Sequence, residues 1–473
     1  MELQERIQLA PLRIVILGLF VILFLGSVYF NIERILFADP AYVLFRIINL
    51  GSLQISEHRY GSFITQLFPL IASKLHLPLS WIVLIYSASF NLFYLVVAAF
   101  LVLRWKDYPL ATLMSFYFVL FVSDSYFWVI NEVHQGIAWM FLCFGAMHHL
   151  YLKNRSKVII PVVFSVLAWL SIYSHPLIIF PFWFLLLFFL LDKKIGSWNA
   201  PFNIILCAIL LVLCVSRVVI SLKVDQYDSS KLHPLTSFGA LNIWRAVTSP
   251  TVKEILRRSL TNYWVVPLLL VWGMIALVRK RKYKLATLTI TFCIAYFVCV
   301  FLTLADFLAF YTETQLAPGT VMITAPFVFY VFPDLKSKTA AFLLGFIFIV
   351  RLVYIGIASD KFVSRKQWLY SVLKDMRQRN ITKGIIYAEI RTQVLSVWAI
   401  PEESLIASAI ENDKPNLTFV VGSVKSISKI KADNRSQMIS SYEAWDIDST
   451  NRRYFDFDTT TNYQSIQLPM MRK

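Results

Sequence analysis

Charge is scarce in this chain: only 15% of its 473 residues are Asp, Glu, Lys or Arg. A soluble domain carries more, so the shortage excludes an ordinary globular enzyme. Cysteine is sparse too. Cys143, Cys207, Cys214, Cys293 and Cys299 all fall in apolar stretches, and none stands at metal-ligand spacing from a histidine. Buried cysteine behaves as a small hydrophobe, so neither a disulfide framework nor thiol chemistry is expected. The zinc signature HExxH, the phosphate-binding P-loop and the nucleophile elbow are all missing. Direct nucleotide hydrolysis is thereby excluded, and any group transfer would need a donor that is already activated. No small-x-small cleavage site follows the first apolar run, Ile14 to Phe30. That run is expected to remain as a span.

What is present is apolar. Hydrophobic residues make up 58% of the chain and aromatics 16%, with a mean hydropathy of +0.63. Runs long enough to cross a hydrocarbon core recur through the first three quarters. They predict about eleven spans, near 12–30, 79–103, 109–130, 133–152, 158–173, 176–191, 201–222, 264–278, 285–304, 316–332 and 339–357. The net charge of +17 would suggest nucleic acid on a soluble protein. Here Lys and Arg cluster in short connectors at 104–106, 153–157, 193–194, 279–284 and 336–338. Such connectors mark the cytoplasmic side, so no nucleic-acid partner is expected and the N-terminus is placed inside.

The alternate connectors are longer and mixed. They carry Glu33, Asp39, Glu57, Asp124, Glu132, Asp225, Asp228, Glu254, Asp306 and Glu313. They also carry His58, His76, His134, His175 and His233, five of the seven histidines. Chemistry is therefore expected on the outer face. The first outer segment, 31–78, predicts two amphipathic helices in the interface, Ile32–Asn49 and Ser62–Leu75. From about 359 the composition turns polar. Residues 359–473 predict a small extracytoplasmic α/β domain beside a membrane domain of residues 1–358. Its expected elements are a helix at Arg365–Arg379, strands at Gly384–Ala388, Leu417–Val421 and Tyr454–Asp458, and helices at Ser404–Ala409 and Val424–Ile430.

Several residues could carry chemistry. Asp39, before Pro40, reads as a general base or as a helix cap. Glu57-His58-Arg59 puts an acid, a base and a guanidinium together, and arginine pairs well with phosphate. The alternative is a polar interfacial turn. Asp124, Glu132 and His134 lie where two spans meet with almost no loop. Ionisable groups at that depth suit a water-filled cavity. His175 before Pro176 reads as a phosphate or metal contact or as a cap. Glu313 and Asp306 flank later spans on the same side. Arg245 is an outer cation. Arg217 and Arg351 fall near the outer ends of spans, where a lone arginine usually snorkels to headgroups or holds a lipid phosphate.

This layout resembles the GT-C superfamily of integral membrane glycosyltransferases. The shared points are a cytoplasmic N-terminus and a long first outer segment bearing an acid and amphipathic helices. Further acids and a His-Pro turn lie on the same face, and a soluble domain follows the last span. The resemblance covers residues 1–357 and, more loosely, the tail. It implies sugar transfer from a polyprenyl-phosphate donor to a lipid, glycan or protein acceptor, among membrane lipids, in a bacterial plasma membrane. Asp39 takes the position of the general base, which in some branches ligates a divalent cation. Glu132, with Asp124, matches the acid of the second outer turn. His175 and an outer arginine would face the donor phosphate. Glu57, His58, Arg59, His134, Arg245, Glu313 and Arg351 complete the expected substrate contacts. No nucleotide or organic cofactor is expected. The sequence departs from relatives that pair Asp39 with a second acid, because Pro40 follows it. Two rival readings are a transporter or flippase of a lipid-linked substrate and a non-enzymatic membrane assembly protein.

Overall fold

A computed structural model of the chain describes residues 2–129, 132–152, 159–192, 201–236, 239–304, 307–387, 396–422, 435–440 and 444–466. Asp306, the 424–430 helix and the basic connectors at 153–157 and 193–194 lie outside the described residues.

The protein is a helical membrane protein. α1 (Glu2–Tyr29) carries the first apolar run. The first long connector holds α2 (Asn31–Ile35), α3 (Asp39–Leu50) and α4 (Phe63–Lys74). α5 (Leu79–Ala99) continues through a wide turn to Trp105. α6 (Tyr108–Tyr117) begins at Asp107, whose carboxylate accepts the Leu110 N–H at 3.1 Å, the usual use of an acid at a helix start. α7 (Glu132–Leu152), α8 (Ile159–Ile172), α9 (Ile179–Leu191) and α10 (Pro201–Lys223) follow. α11 (Gln226–Thr236), α12 (Ala240–Val247) and α13 (Pro250–Thr261) are more polar. α14 (Val265–Arg279), α15 (Tyr283–Thr303), α16 (Ala309–Tyr330) and α17 (Ser337–Gln378) complete the bundle.

Among the described residues, six helices are long and apolar enough to cross a membrane: α1, α5, α10, α15, α16 and α17. A seventh counts if α13 and α14, bent by 77°, form one span. The remaining expected spans fall on α6 to α9. α6, α8 and α9 are short helices. α7 is long enough but carries Glu132, His134, His148 and His149. α16 is the centre of the bundle, with 94% of its spanning window buried. It is buried on all sides, as a helix surrounded by others is, and its few polar side chains, Glu313 among them, are buried with it.

α17 runs unbroken through residue 358, so the expected helix at 365–379 is its second half. The tail then forms β1 (Lys383–Tyr387), α18 (Ile400–Ile410), β2 (Thr418–Gly422), β3 (Gln437–Ile439), β4 (Ala444–Asp446) and β5 (Gln464–Ser465). β1 pairs in parallel with β2 and β5, and β3 with β4 antiparallel. α18 covers β2, where Ser404 Oγ accepts the Phe419 N–H at 3.1 Å. Residues 454–458 are not a strand. Phe455 and Phe457 are buried with Asp456 exposed, which mimics strand alternation. Asn416 instead grips the Asp456 backbone from both sides at 2.6 Å.

The first connector is not two free interfacial helices. α2 and α3 are separated by a kink at Leu36–Ala38. The apolar face of α3 is buried, and Phe45 packs on Trp445 and Phe455 of the tail. α4 leans on α5 and leaves Phe68, Ile71 and Leu75 exposed.

Candidate functional site

The kink before α3 positions the candidate base. Ala38 has φ 54° and ψ −125°, a backbone that side-chain-bearing residues seldom adopt. Asp39 then opens α3 without serving as its cap, because that place is taken by Ala38. The Asp39 carboxylate turns toward Trp128 and accepts its indole N–H at 2.7 Å. Burial, with Glu132 adding to it, pushes the carboxyl up to about 6; Trp128 and Arg59 oppose that rise. A carboxylate poised near neutrality suits a general base.

Arg59 lies at the centre of a larger network. It reaches Glu132 at 3.2 Å and Asp228 at 2.7 Å, and its guanidinium sits over the Tyr227 ring at 5.8 Å. Arg217 of α10 is fully buried and bridges Asp225 and Asp228, each at 2.8 Å. Arg217 therefore does not snorkel. The turn from α10 into α11 folds Asp225 and Asp228 back over its guanidinium. His58 Nδ1 meets the other oxygen of Asp225 at 2.5 Å. Glu57 completes the turn. Burial and the charges of Asp225 and Asp228 push its carboxyl up. Burial alone would raise the Asp228 carboxyl too, but Arg59 and Arg217 outweigh it and hold it low.

His175 stands beside this network. Its Nδ1 accepts the Leu177 N–H at 3.2 Å. The Nε2 of the neutral ring then bears the proton and can donate. Burial, reinforced by Arg59, lowers the imidazole to about 3, so the ring is neutral at physiological pH. The loop that carries His58 and Arg59 is pressed against α8. A Cβ on Gly61 would come within 2.1 Å of the Leu170 carbonyl oxygen, so only glycine fits there. Trp139 fixes the same point by donating to the Gly61 carbonyl at 3.0 Å.

Thus Asp39, Glu57, His58, Arg59, Glu132 and His175 converge, with Asp225, Asp228, Arg217, Trp128 and Tyr227 added by the structure. The other expected residues are placed elsewhere. His134 bonds Tyr117 at 2.6 Å. Asp124 pairs with Lys361 at 2.7 Å. Glu313 accepts the N–H groups of Ser123 and Ser125 and the Tyr263 hydroxyl. Arg351 is fully buried and donates to the carbonyls of Val119, Val122 and Asn262. Glu313 and Arg351 thus hold the 119–125 turn, and Arg351 does not snorkel either. Arg245 is exposed on α12.

Acids outnumber guanidinium groups in the converged set. Lys231 supplies a further cation, exposed and resting on the Tyr227 and Tyr311 rings at 5.5 and 5.7 Å. Among the described residues, no three His, Cys, Asp or Glu side chains converge as a metal-binding group.

A second cluster ties the tail to the kink before Asp39. Glu403 of α18 is fully buried and accepts the Ala38 N–H at 2.7 Å. Arg365 of α17 pairs with both Glu403 oxygens and donates to the Leu36 carbonyl. Nothing near Glu403 in the sequence signals this pairing with the first connector.

No known protein family, no characterised protein and no solved structure matches the chain.

Proposed function

We propose that the protein is a GT-C-type glycosyltransferase that moves a sugar from a polyprenyl phosphate to an acceptor hydroxyl. In this reading about eleven segments cross the membrane, the N-terminus is cytoplasmic, and the Asp39 network and the tail lie on the extracytoplasmic side. The observation that carries it is the Asp39 carboxylate, held by Trp128 beside Arg59 and Glu132 with its ionisation moved to about 6.

The step is an inverting displacement. Asp39 takes the proton of the acceptor hydroxyl as its oxygen bonds to the anomeric carbon. The carbon–oxygen bond to the donor phosphate breaks, and the phosphate leaves with the electron pair. That leaving charge needs donors and cations fixed in place. The His175 Nε2–H and the Lys231 ammonium are the groups free to meet it, while Arg59 and Arg217 align the acids. A transporter would carry its charged groups near the bilayer midplane. Here they come from the ends of α8, α10 and α11, the start of α7 and the first connector, which supports the enzyme reading.

The test uses the purified full chain with synthetic short-chain polyprenyl-phosphate hexoses and pentoses. Release of the polyprenyl phosphate by the parent and its loss in Asp39→Asn, with the variant still inserted and monodisperse, is the expected outcome. Full release by Asp39→Asn removes the assignment of the base. Protection of vesicle-enclosed lipid-linked sugar, with transport but no release, replaces the enzyme by a flippase.

A further inference from the structure

α12 and α13 form a shelf that the transfer reading does not use. α13 carries Lys253, Glu254, Arg257 and Arg258 within its twelve residues. Such a segment is costly to bury in hydrocarbon. It also meets α14 at 77°. If α14 crosses the bilayer, α13 lies nearly flat on its surface. Ser249 starts α13 by accepting the Val252 N–H at 3.2 Å, so the flat helix is a built element.

The buried side of the shelf is Thr251, Val252 and Ile255. Its outer side exposes Leu256 and Leu260 on α13 and Leu241, Trp244 and Val247 on α12, with Trp244 at 68% and Leu260 at 74%. Large exposed apolar groups in such a row mark an interaction surface. Arg245 and Lys253 are exposed among them. Arg257 and Arg258 both pair with Glu254, which leaves the shelf net positive. Tryptophan and leucine beside lysine and arginine on a helix parallel to the membrane is the composition of an interfacial anchor.

We infer that the α12–α13 shelf lies in the headgroup layer and binds anionic phospholipid headgroups. The occupant follows from the charge and from continuity with the α14 span. The inference stands independently of glycosyl transfer. One consequence is spatial: α11, which carries Asp228, and α12 both pack on α15, so the shelf and the Asp228 network share one supporting helix.

The test places nitroxide probes at Trp244→Cys and Leu260→Cys, with Arg452→Cys on the exposed tail as the aqueous control. The five native cysteines are replaced by alanine, and the full chain is reconstituted in vesicles of phosphatidylcholine with or without phosphatidylglycerol. Oxygen should relax the probes at 244 and 260 several-fold more than a water-soluble nickel chelate does, with the reverse at 452. Probes at 244 and 260 that behave like 452, or that neither relaxant reaches because protein covers them, overturn the inference. Phosphatidylglycerol should deepen the probes, and Arg245→Gln with Lys253→Gln should abolish the deepening. Equal depth in both vesicles overturns the anionic-lipid assignment.

Discussion

The backbone N–H of Ala38 donates to the Glu403 carboxylate at 2.7 Å, joining residues 365 positions apart. Ala38 holds a left-handed backbone that costs about 1–3 kcal/mol without support. Arg365 braces the same point through Glu403 and the Leu36 carbonyl. Glu403→Ala leaves a buried guanidinium unpaired and should cost about 3–5 kcal/mol. The fall in thermal midpoint in detergent measures it. Adding Arg365→Met should recover part of the loss, and a double-mutant cycle reads the coupling. Strict additivity would show that the pair acts independently.

Asp39 predicts a pH signature. Its carboxyl ionises at about 6 rather than 3.8. Transfer should rise about tenfold per pH unit below 6 and level off above it. Stability runs the other way. Unfolded Asp39 ionises first, so folding stability is fullest below about 3.8 and falls as pH rises through 6. Asp39→Asn should therefore stabilise the fold by roughly 1–3 kcal/mol at pH 8 and hardly at all at pH 3. Melting curves at the two pH values decide it.

Arg217 holds Asp225 and Asp228 together. Arg217→Met leaves Asp225 to His58 and Asp228 to Arg59, and breaking the buried pair should lower the thermal midpoint by several degrees, equivalent to about 3–5 kcal/mol. Arg217→Lys should rescue little, because one ammonium lacks the planar fork that serves both acids. A lysine variant as stable as the parent would show that the planar fork contributes nothing beyond its charge.

Glu313 predicts a stability effect. Glu313→Gln takes the charged acceptor from the N–H groups of Ser123 and Ser125 and from the Tyr263 hydroxyl and should cost about 1–3 kcal/mol. The pH midpoint of transfer near 6 should stay in place. A displaced midpoint would make Glu313 part of the chemistry.

Gly61→Ala would put a methyl group 1.9 Å from Ser174 Oγ and 2.1 Å from the Leu170 oxygen. Pushing the loop off α8 should cost about 1–3 kcal/mol and loosen Arg59. Protease accessibility of the 51–62 segment checks this.

Several members of the site were legible in the sequence because short-range cues mark them. Asp39 sits just past an apolar run, Glu57 to Arg59 are adjacent, and Glu132 and His175 lie at tight junctions. Arg217 left a trace as well: Asp225 and Asp228 follow it by 8 and 11 positions, a helical repeat across a turn. Read alone in its span, it suggested snorkelling. Glu403 left none. Its partners are Ala38 and Arg365, and contacts between segments so far apart have no period. Phe455 and Phe457 misled for a related reason: alternate burial needs an extended chain, and a ladder is only one way to hold it.

α17 joins the bundle to the tail as one rod of 42 residues, about 63 Å at the usual helical rise. A hydrocarbon layer is about half that. With Arg365 two-thirds of the way along, there is no hinge between the lipid-embedded half and the Ala38 clamp. A change of bilayer thickness that tilts this rod would carry the Ala38 kink, and Asp39 beside it, along with the rod.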